Sequence, residues 1–332
     1  MVSRALIGEL VLLVVACGAI GQEIPTLRSQ SNVVLVPALV KDQDGQVIYG
    51  LTADDFVIED DGVPQAVELE DSVESDPVSV ILVIQTGRRA SREFSRIQGL
   101  SALVSPLLDQ PHTRMALLEF DSHVQITRDF SEVSGDVDRY LQDLQPGDNG
   151  AVILDALNLA INLLGKESED RKRVLLLVSE MRDHGSHIAT IDDIVAAVGK
   201  NNIVMHTIAY SPAISQVLDT ERGANRDETG WNAPPDLLAL LALARNSMKK
   251  NVAKTISQMT GGEYEEFATR KHFEQDMTGF TNHIHSRYML SFTPHDPHAG
   301  LHQIRVRMRQ PRDGVSIVAR TSYWAEGSPA DR

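Results

Sequence analysis

The sequence contains a single cysteine, Cys17, among its 332 residues. Cys17 has no partner for an intrachain disulfide, so packing rather than covalent cross-links must stabilise the folded chain. Aromatic residues make up only 5% of the chain, which argues against a platform for stacking nucleic-acid bases. Basic residues are also in deficit, because 31 Lys and Arg stand against 46 Asp and Glu and the formal net charge is −15. Such a surface repels nucleic acid and anionic lipid, so we expect neither as a partner.

Catalytic signatures are absent as well. The chain has no Gly-x-Ser-x-Gly nucleophile motif and no His-Glu-x-x-His zinc motif, and its Gly147–Gly150 stretch lacks the lysine of a phosphate-binding loop. The histidines at 184, 187, 295, 298 and 302 do not follow a zinc-binding spacing. We therefore predict that the protein is not an enzyme. An extracytoplasmic hydrolase with an unrecognised site remains as the catalytic alternative, and substitutions at Glu180 or His184 would test it.

The apolar run at the N-terminus is short. It covers Leu10–Ala16, follows the basic residue Arg4, and falls below the length of a stable bilayer anchor. This pattern predicts a signal peptide over residues 1–21, cleaved after a small-x-small sequence. Two alternatives stay open: a lipobox-like sequence in which Cys17 carries a lipid, and a retained anchor. The protein is accordingly predicted to be secreted or periplasmic, with membrane attachment only through a lipid on Cys17.

Three segments with different hydrophobic patterns follow. Residues 28–76 are rich in β-branched side chains and contain two Asp-Gly turns of the kind found in β-hairpins. Residues 77–286 alternate apolar strands with helices, and residues 287–325 return to a two-residue alternation. We predict an N-terminal β unit, an α/β domain, and a C-terminal β extension that either extends the main sheet or packs on the N-terminal unit. The polar stretch 211–236 is predicted to be a long surface loop.

The alternation in residues 77–286 defines the predicted fold class. It indicates a doubly wound, mostly parallel α/β sheet with helices on both faces, flanked by the two β units. The buried strand in this segment ends in Gln85-Thr86-Gly87-Arg88-Arg89. In an open α/β sheet the binding crevice lies at the carboxyl ends of the strands. The predicted binding surface is therefore built by loops near 85–91, 147–151 and 180–187.

Several stretches, in order along the chain, carry a family resemblance. They are LVPALVKDQDGQVIYGLTADDFVIEDDGVPQAV, PVSVILVIQTG, AVILDALNLAI, RVLLLVSEMRDHGS, MTGGEYEEF, RYMLSFTP, LHQIRVRM and VARTSYW. The α/β segment resembles a von Willebrand factor type A domain. The ordered set resembles the bacterial, acidobacterial-type VWFA-related family over most of residues 32–325. The resemblance implies a Rossmann-like domain that serves as a binding module.

Type A domains usually hold a divalent cation in a metal-ion-dependent adhesion site at the carboxyl edge of the sheet. The resemblance implies an Asp-x-Ser-x-Ser loop, a threonine and an aspartate as its ligands, and hard oxygen groups of this kind suit Mg²⁺. Here Gln85 stands at the first aspartate, Gly87 and Arg89 at the two serines, Ala151 at the threonine and Glu180 at the final aspartate. Four of the five positions therefore lose the usual group, and the fifth is longer by one methylene.

The arginines at this loop oppose a cation directly. Two unit charges 4 Å apart repel by about 4 kcal/mol at an effective dielectric constant of about 20, and Arg88 and Arg89 both follow the strand. We predict a degenerate site with no Mg²⁺ and no other cofactor. Three roles for the arginines stay open: an internal pair with Glu180, recognition of a partner's carboxylate, or exposure to solvent.

These observations predict a non-catalytic, extracytoplasmic protein-interaction or adhesion module. Its unknown protein partner would bind the carboxyl edge of the type A sheet without a metal. A structural component of the bacterial envelope is the alternative, and it predicts that the Gln85–Arg89 edge is buried against the chain's own β units.

Overall fold

The computed structural model describes residues 33–70, 76–87, 90–97, 100, 102, 104, 107, 110–132, 139, 141, 143–210, 237–295 and 298–326. All of these residues belong to one structural unit. The predicted signal peptide, Arg88, Arg89 and the 211–236 stretch lie outside them. None of the helices that the structure describes has the length and hydrophobicity needed to cross a bilayer.

The described strands and helices follow the predicted order of β, α/β and β segments. They are β1 (Val34–Lys41), a 3-10 turn (Ala53–Asp55), β2 (Phe56–Asp60), β3 (Val63–Gln65), β4 (Glu68–Leu69), β5 (Val78–Gln85), a second 3-10 turn (Ala90–Glu93), β6 (Arg114–Phe120), β7 (Val124–Glu132), α1 (Ile153–Leu164), β8 (Lys172–Ser179), α2 (Ile191–Lys200), β9 (Ile203–Tyr210), α3 (Leu237–Lys250), α4 (Val252–Thr260), β10 (Tyr264–Phe267), α5 (Arg270–His285), β11 (Tyr288–Phe292), β12 (Gly300–Met308), β13 (Ser316–Ala319) and β14 (Ser322–Ala325).

The central sheet has six strands in the order β10-β9-β8-β5-β6-β7. All neighbouring pairs are parallel except β6 and β7, which form an antiparallel pair at one edge. Every residue of β5 is buried, as expected for a central strand with helices on both faces. The predicted doubly wound, mostly parallel sheet is confirmed.

Each face of this sheet has its own hydrophobic core. One core joins the sheet to α1, α2, α3 and α4, and it includes Leu157, Ile194 and Ile256. The other joins the opposite face to the 90–107 segment and α5, and it includes Leu107 and Phe273. Because the helices cover both faces, only the ends of the strands are left for a binding site.

The N-terminal and C-terminal strands form two further sheets together. One has the order β13-β1-β11-β4 and the other β14-β12-β2-β3. Their inner faces share a third core, which contains Val36, Phe56, Phe292 and Tyr323, so the two sheets pack as a sandwich. The sequence left open whether the C-terminal strands extend the main sheet or pack on the N-terminal unit. The structure shows that they pack on the N-terminal unit. The segment boundaries at 76–77 and 286–287 stay predictions.

The spacing of apolar residues over 237–260 predicts one continuous helix, but this prediction is wrong, because the structure has two helices there. The break falls at Asn251, whose side chain accepts a hydrogen bond from the Lys254 N–H and caps α4. An Asn side chain competes well for the free N–H groups of a first helical turn, so a cap replaces one turn of continuous helix.

Candidate functional site

The candidate site lies at the carboxyl edge, which we define as residues 85–87, 121–123, 147–151 and 180–188. β5, β6 and β8 are parallel neighbours, so the loops that follow them meet at the same end of the sheet. The edge also lies where the chain departs to both sides of β5, which is the topological switch point of a doubly wound sheet.

Gln85 links the first and third loops of this edge. Its side chain is only 1% exposed. The Gln85 carbonyl oxygen accepts from the Glu180 backbone N–H at 2.9 Å, and its Nε2 donates to the Glu180 carboxylate at 3.2 Å. The same amide nitrogen lies 3.4 Å from the Gly87 carbonyl oxygen. A carboxylate at position 85 could not donate these bonds, so the amide supplies a contact between the loops that an aspartate would not.

Gly87 sits where the resemblance implies a ligating serine, and there is no space for a side chain. A Cβ at this position would lie 2.7 Å from the Asp121 Cβ and closer still to the Gly150 carbonyl oxygen. Gly150 is crowded in turn, since its Cβ would lie 2.5 Å from the Ser122 Cβ. Two glycines therefore let the loops after β5 and β6 pack directly on the 147–151 loop.

Ala151 occupies the position of the threonine and is buried. Its N–H donates to the His184 carbonyl oxygen at 3.1 Å, and the His184 N–H donates back to the Ala151 carbonyl oxygen at 2.8 Å. The next residue, Val152, donates to the Asp121 carbonyl oxygen at 3.0 Å. Backbone pairing thus joins the second loop to both of its neighbours.

Two carboxylates hold the loop after β8 against the start of α1. Asp183 accepts from the Leu154 N–H at 3.0 Å, which satisfies a free donor in the first turn of the helix. Asp155 is buried and accepts from three successive backbone N–H groups of the loop, those of residues 187, 188 and 189, at 2.8–3.1 Å. The conformation of residues 183–189 is therefore fixed by α1.

A second pair of carboxylates shapes the exposed part of the edge. Asp121 accepts from the His123 and Asp148 N–H groups at 2.9 and 3.1 Å. Asp148 accepts from the N–H groups of Ser122 and Gly150 at 2.9 and 2.7 Å. The Ser122 hydroxyl and these backbone donors lower the pKa of Asp148 below its ordinary value. Asp121, His123 and Asp148 are close enough to hold a metal ion, but their hydrogen bonds already account for a role in loop structure.

The other histidine cluster lies in the sandwich. His302 is buried, with Nδ1 2.8 Å from Asp61 and Nε2 2.8 Å from the His298 carbonyl oxygen. Burial lowers the pKa of His302, but hydrogen bonds to Asp60 and Asp61 outweigh burial and raise the pKa to about 10. Nδ1 thus forms an ion pair with the carboxylates, and Nε2 contacts a backbone carbonyl, so both ring nitrogens have structural partners within the sandwich.

Three of the predicted site residues form the buried part of the edge. Gln85, Gly87 and Ala151 are buried, and the loops at 121–123 and 147–151 cover Gly87, while Glu180 is partly exposed. The predicted pair between an arginine and Glu180 involves Arg88 and Arg89, which lie outside the described residues. What the structure adds is an exposed rim above the buried positions, formed by residues 121–123, 148 and 182–188.

Ile188 is the most unusual member of this rim, because its side chain is 70% exposed. Sequence reasoning missed it, together with Asp155 and Asp183. One signal was available for Asp155: it is the sole charged residue in the apolar helix Ile153–Leu164, where an acid needs buried hydrogen-bond donors.

Comparison with known proteins identifies the class of domain. Residues 80–182 match the von Willebrand factor type A domain family, and the sheet order agrees with a fold of that type. The chain therefore carries a type A domain that includes β5, β6, α1 and β8, whose loops form the carboxyl edge. No curated protein matches the sequence significantly.

Comparison with solved structures finds matches at low identity. An aerotolerance-related membrane protein from Bacteroides fragilis is 13% identical over 62% of this chain and 98% of its own, with a TM-score of 0.39. BatB from Bacteroides thetaiotaomicron is 15% identical over 62% and 99%, with a TM-score of 0.38. Proximal thread matrix protein 1 from the mussel byssus, in a form described with a zinc-occupied metal-ion-dependent adhesion site, is 10% identical over 68% and 49%, with a TM-score of 0.43.

Proposed function

We propose that the chain is a non-catalytic, extracytoplasmic protein-binding module whose partner docks on the carboxyl edge without a bridging cation. One observation carries the proposal: Gln85 bonds to both the backbone N–H and the carboxylate of Glu180. The carboxylate that would face a cation is thereby paired with a neutral amide of the same domain.

The donor set at this position does not fit Mg²⁺. Among the five implied ligand positions Glu180 is the sole carboxylate, and Gly87 and Ala151 contribute no side-chain oxygen. Mg²⁺ prefers six oxygen ligands at 2.0–2.1 Å. In the described part of the chain, neither group of potential metal ligands includes Glu180. A cation at this position would have to displace the Gln85 amide from the Glu180 carboxylate, and it would then have that carboxylate as its sole charged ligand.

The rim offers a surface for a protein partner. Ile188 exposes its aliphatic side chain between His187 and the buried Ala189, and Asp155 holds the backbone of all three residues. A rigid, exposed apolar residue among polar neighbours is a favourable anchor, because little conformational entropy is lost when a partner covers it.

The residues that cover the carboxyl edge distinguish a binding module from the alternative, a structural component of the envelope. That alternative requires the chain's own β units to cover the edge. Gly87 is instead covered by loops of the type A domain itself, Gln85 is buried against Glu180, and Ile188 stays exposed. The export of the chain rests on the predicted signal peptide, and fractionation of tagged wild-type and Cys17→Ser protein would test both export and lipidation.

A single substitution on the rim is expected to weaken partner capture strongly. Ile188→Ser removes an exposed anchor without opening a cavity, so the fold should be retained while capture from envelope extract falls about tenfold or more, as for an anchor residue. Val63→Ser is the matched control, because Val63 is 56% exposed but lies on β3 of the sandwich. Quantitative pull-down with each variant, in EDTA and in Mg²⁺, measures both effects.

Capture that is unchanged by Ile188→Ser would argue against the rim. Capture that disappears in EDTA would show that a cation bridges the partner after all.

A further inference from the structure

A cavity lies at the opposite end of the central sheet from the carboxyl edge. Its volume is about 390 Å³, which is within the range of about 300–1,000 Å³ typical of small-molecule sites. The wall is formed by the amino ends of β8 and β9, by β1 and β11 of the sandwich, and by the end of α5. Its apolar part includes Leu35, Val174, Ile203, Ile284 and Met289.

The charged residues of the wall are arranged by depth. Those that are buried are all arginines: Arg173, Arg287 and Arg320. The acidic residues of the wall are partly or fully exposed, at positions 70, 76, 169 and 170. An anion would therefore find its favourable potential at the inner end of the cavity, while the acids stay in water.

Two of these arginines have N–H groups without an acceptor. Nε and Nη2 of Arg287 and Nε of Arg173 make no hydrogen bond to the described protein. Arg320 differs, since its three nitrogens donate to backbone carbonyls and to Asn202. A buried N–H without a hydrogen bond is destabilising, so an acceptor that reaches Arg287 or Arg173 removes an energetic penalty.

His206 supplies a further donor in the same wall. The Glu263 N–H donates to its Nδ1 at 3.4 Å, so the neutral ring carries its hydrogen on Nε2, which has no acceptor. Burial, together with the charge of Arg287, lowers the pKa of His206 to about 3, and the ring is neutral at physiological pH. The wall thus holds four N–H donors that make no hydrogen bond to the described protein, on three buried side chains; one of them, Nη2 of Arg287, lies 3.6 Å from the Glu263 carboxylate.

We propose that this cavity binds a small organic carboxylate with an apolar body, whose carboxylate group is held by the Nε and Nη2 edge of Arg287. These two N–H groups form one side of the guanidinium fork, which matches the two oxygens of a carboxylate. Each nitrogen exposes less than 1 Å², so the side chain has to move before a ligand contacts the fork. A small rotation of the side chain, which is anchored through Nη1 to the Gly261 carbonyl oxygen at 2.5 Å, brings the fork to the ligand.

The chemistry favours a monoanion over phosphate. Glu263 already lies 3.6 Å from Nη2 of Arg287. The positive charges of Arg173 and Arg320 can balance one further negative charge on a ligand, whereas the Glu263 carboxylate would repel a dianion more strongly than a monoanion. The apolar wall also needs a hydrocarbon body, which inorganic phosphate lacks.

Hexanoate and benzoate are suitable probes for the full chain, with hexanol, benzyl alcohol and inorganic phosphate as comparison ligands. We expect saturable binding of both carboxylates in calorimetry and ligand-observed NMR, and none of the alcohols or phosphate at the same concentration. Arg287→Lys keeps the charge but loses the fork, and we expect it to weaken carboxylate binding about tenfold or more. Arg270→Lys, at an exposed arginine of α5, should change nothing.

Val204→Phe provides a test that leaves every charge in place. Val204 is half-buried in the wall, so a phenyl ring there fills the cavity, and binding should be lost while the circular dichroism spectrum is retained. Equal binding of hexanol and hexanoate, tighter binding of phosphate, or unchanged binding in Val204→Phe would each overturn the proposal.

Discussion

Gly87→Ser, which restores the residue that a cation site would need, is expected to destabilise the protein by about 2–4 kcal/mol. The reason is space. A side chain at Gly87 would overlap the Gly150 carbonyl oxygen and lie within 2.8 Å of the Asp121 backbone. Backbone cannot move aside as cheaply as the end of a flexible side chain, so the loops at 121–123 and 147–151 must separate. Chemical denaturation followed by circular dichroism measures the loss as a lower midpoint at an unchanged slope.

Gly279→Ser is the matched control for this substitution. A Cβ at Gly279, in α5, would meet only His283 at 3.9 Å, and serine is a better helix former than glycine. We expect a change within about 0.5 kcal/mol, or a slight gain. Equal stability of Gly87→Ser and the parent protein would show that the edge is looser than described and can accept a ligating serine.

Glu263→Ala is expected to cost about 3–5 kcal/mol, because it leaves the buried Arg287 and the partly buried Lys41 without a counter-charge. Glu263 is 6% exposed. Its carboxylate lies 2.9 Å from the Lys41 Nζ, 2.9 Å from the His283 Nδ1 and 3.6 Å from the Arg287 Nη2. These contacts join the central sheet to β1 of the sandwich, so their loss should weaken the packing of the sandwich on the α/β layer.

The pH dependence of stability gives a second readout for Glu263. Burial alone would raise its pKa, but the hydrogen bond from His283 and the charges of Lys41 and Arg287 outweigh burial and lower the pKa below its ordinary value. A lowered pKa means that the contribution is present above about pH 4.5 and is lost as the pH falls. Glu263→Gln should therefore show a shallower acid transition than the parent protein.

Glu274→Gln serves as the control, because Glu274 forms an exposed pair with Arg270 worth about 0.5 kcal/mol or less. A cost for Glu263→Ala as small as that of Glu274→Gln would contradict the assigned role.

The central sheet could be predicted from the sequence because its inner strands, β5, β6, β8 and β9, are largely apolar runs between helical patterns. The strand pairing of the sandwich could not be predicted from the sequence. Its register pairs Val34 with Phe292 and Ala38 with Ala319, and pairing across most of the chain leaves no local signature. The helix break at Asn251 was missed for a related reason: the polar residues before it fit a continuous helix, and only the capping bond decides the matter.

The sequence predicted that the usual cation ligands are missing from the site, and the structure shows which contacts the substituted residues make instead. Sequence alone identified Gln85 as a neutral residue at the first position of the implied cation site. It could not reveal that both the oxygen and the nitrogen of the Gln85 amide form hydrogen bonds with Glu180. Nor could it reveal that Gly87 is crowded by Gly150, since that contact depends on how two distant loops pack. The exposed Ile188 lies in a loop whose conformation is set by Asp155, which sits in a helix earlier in the chain.

Titration of the full chain with Mg²⁺ and Mn²⁺ tests the central claim, that the carboxyl edge works without a cation. Calorimetry on the parent protein, Glu180→Gln and Asp148→Asn, with thermal melts in EDTA and in metal, covers the implied cation position and the neighbouring carboxylate group. We predict no saturable binding at concentrations up to about 10 mM, beyond the weakest range for sites of hard oxygen ligands, and the same melting temperature in EDTA. Saturable binding of one ion that raises the melting temperature, and that is lost in Glu180→Gln, would contradict it.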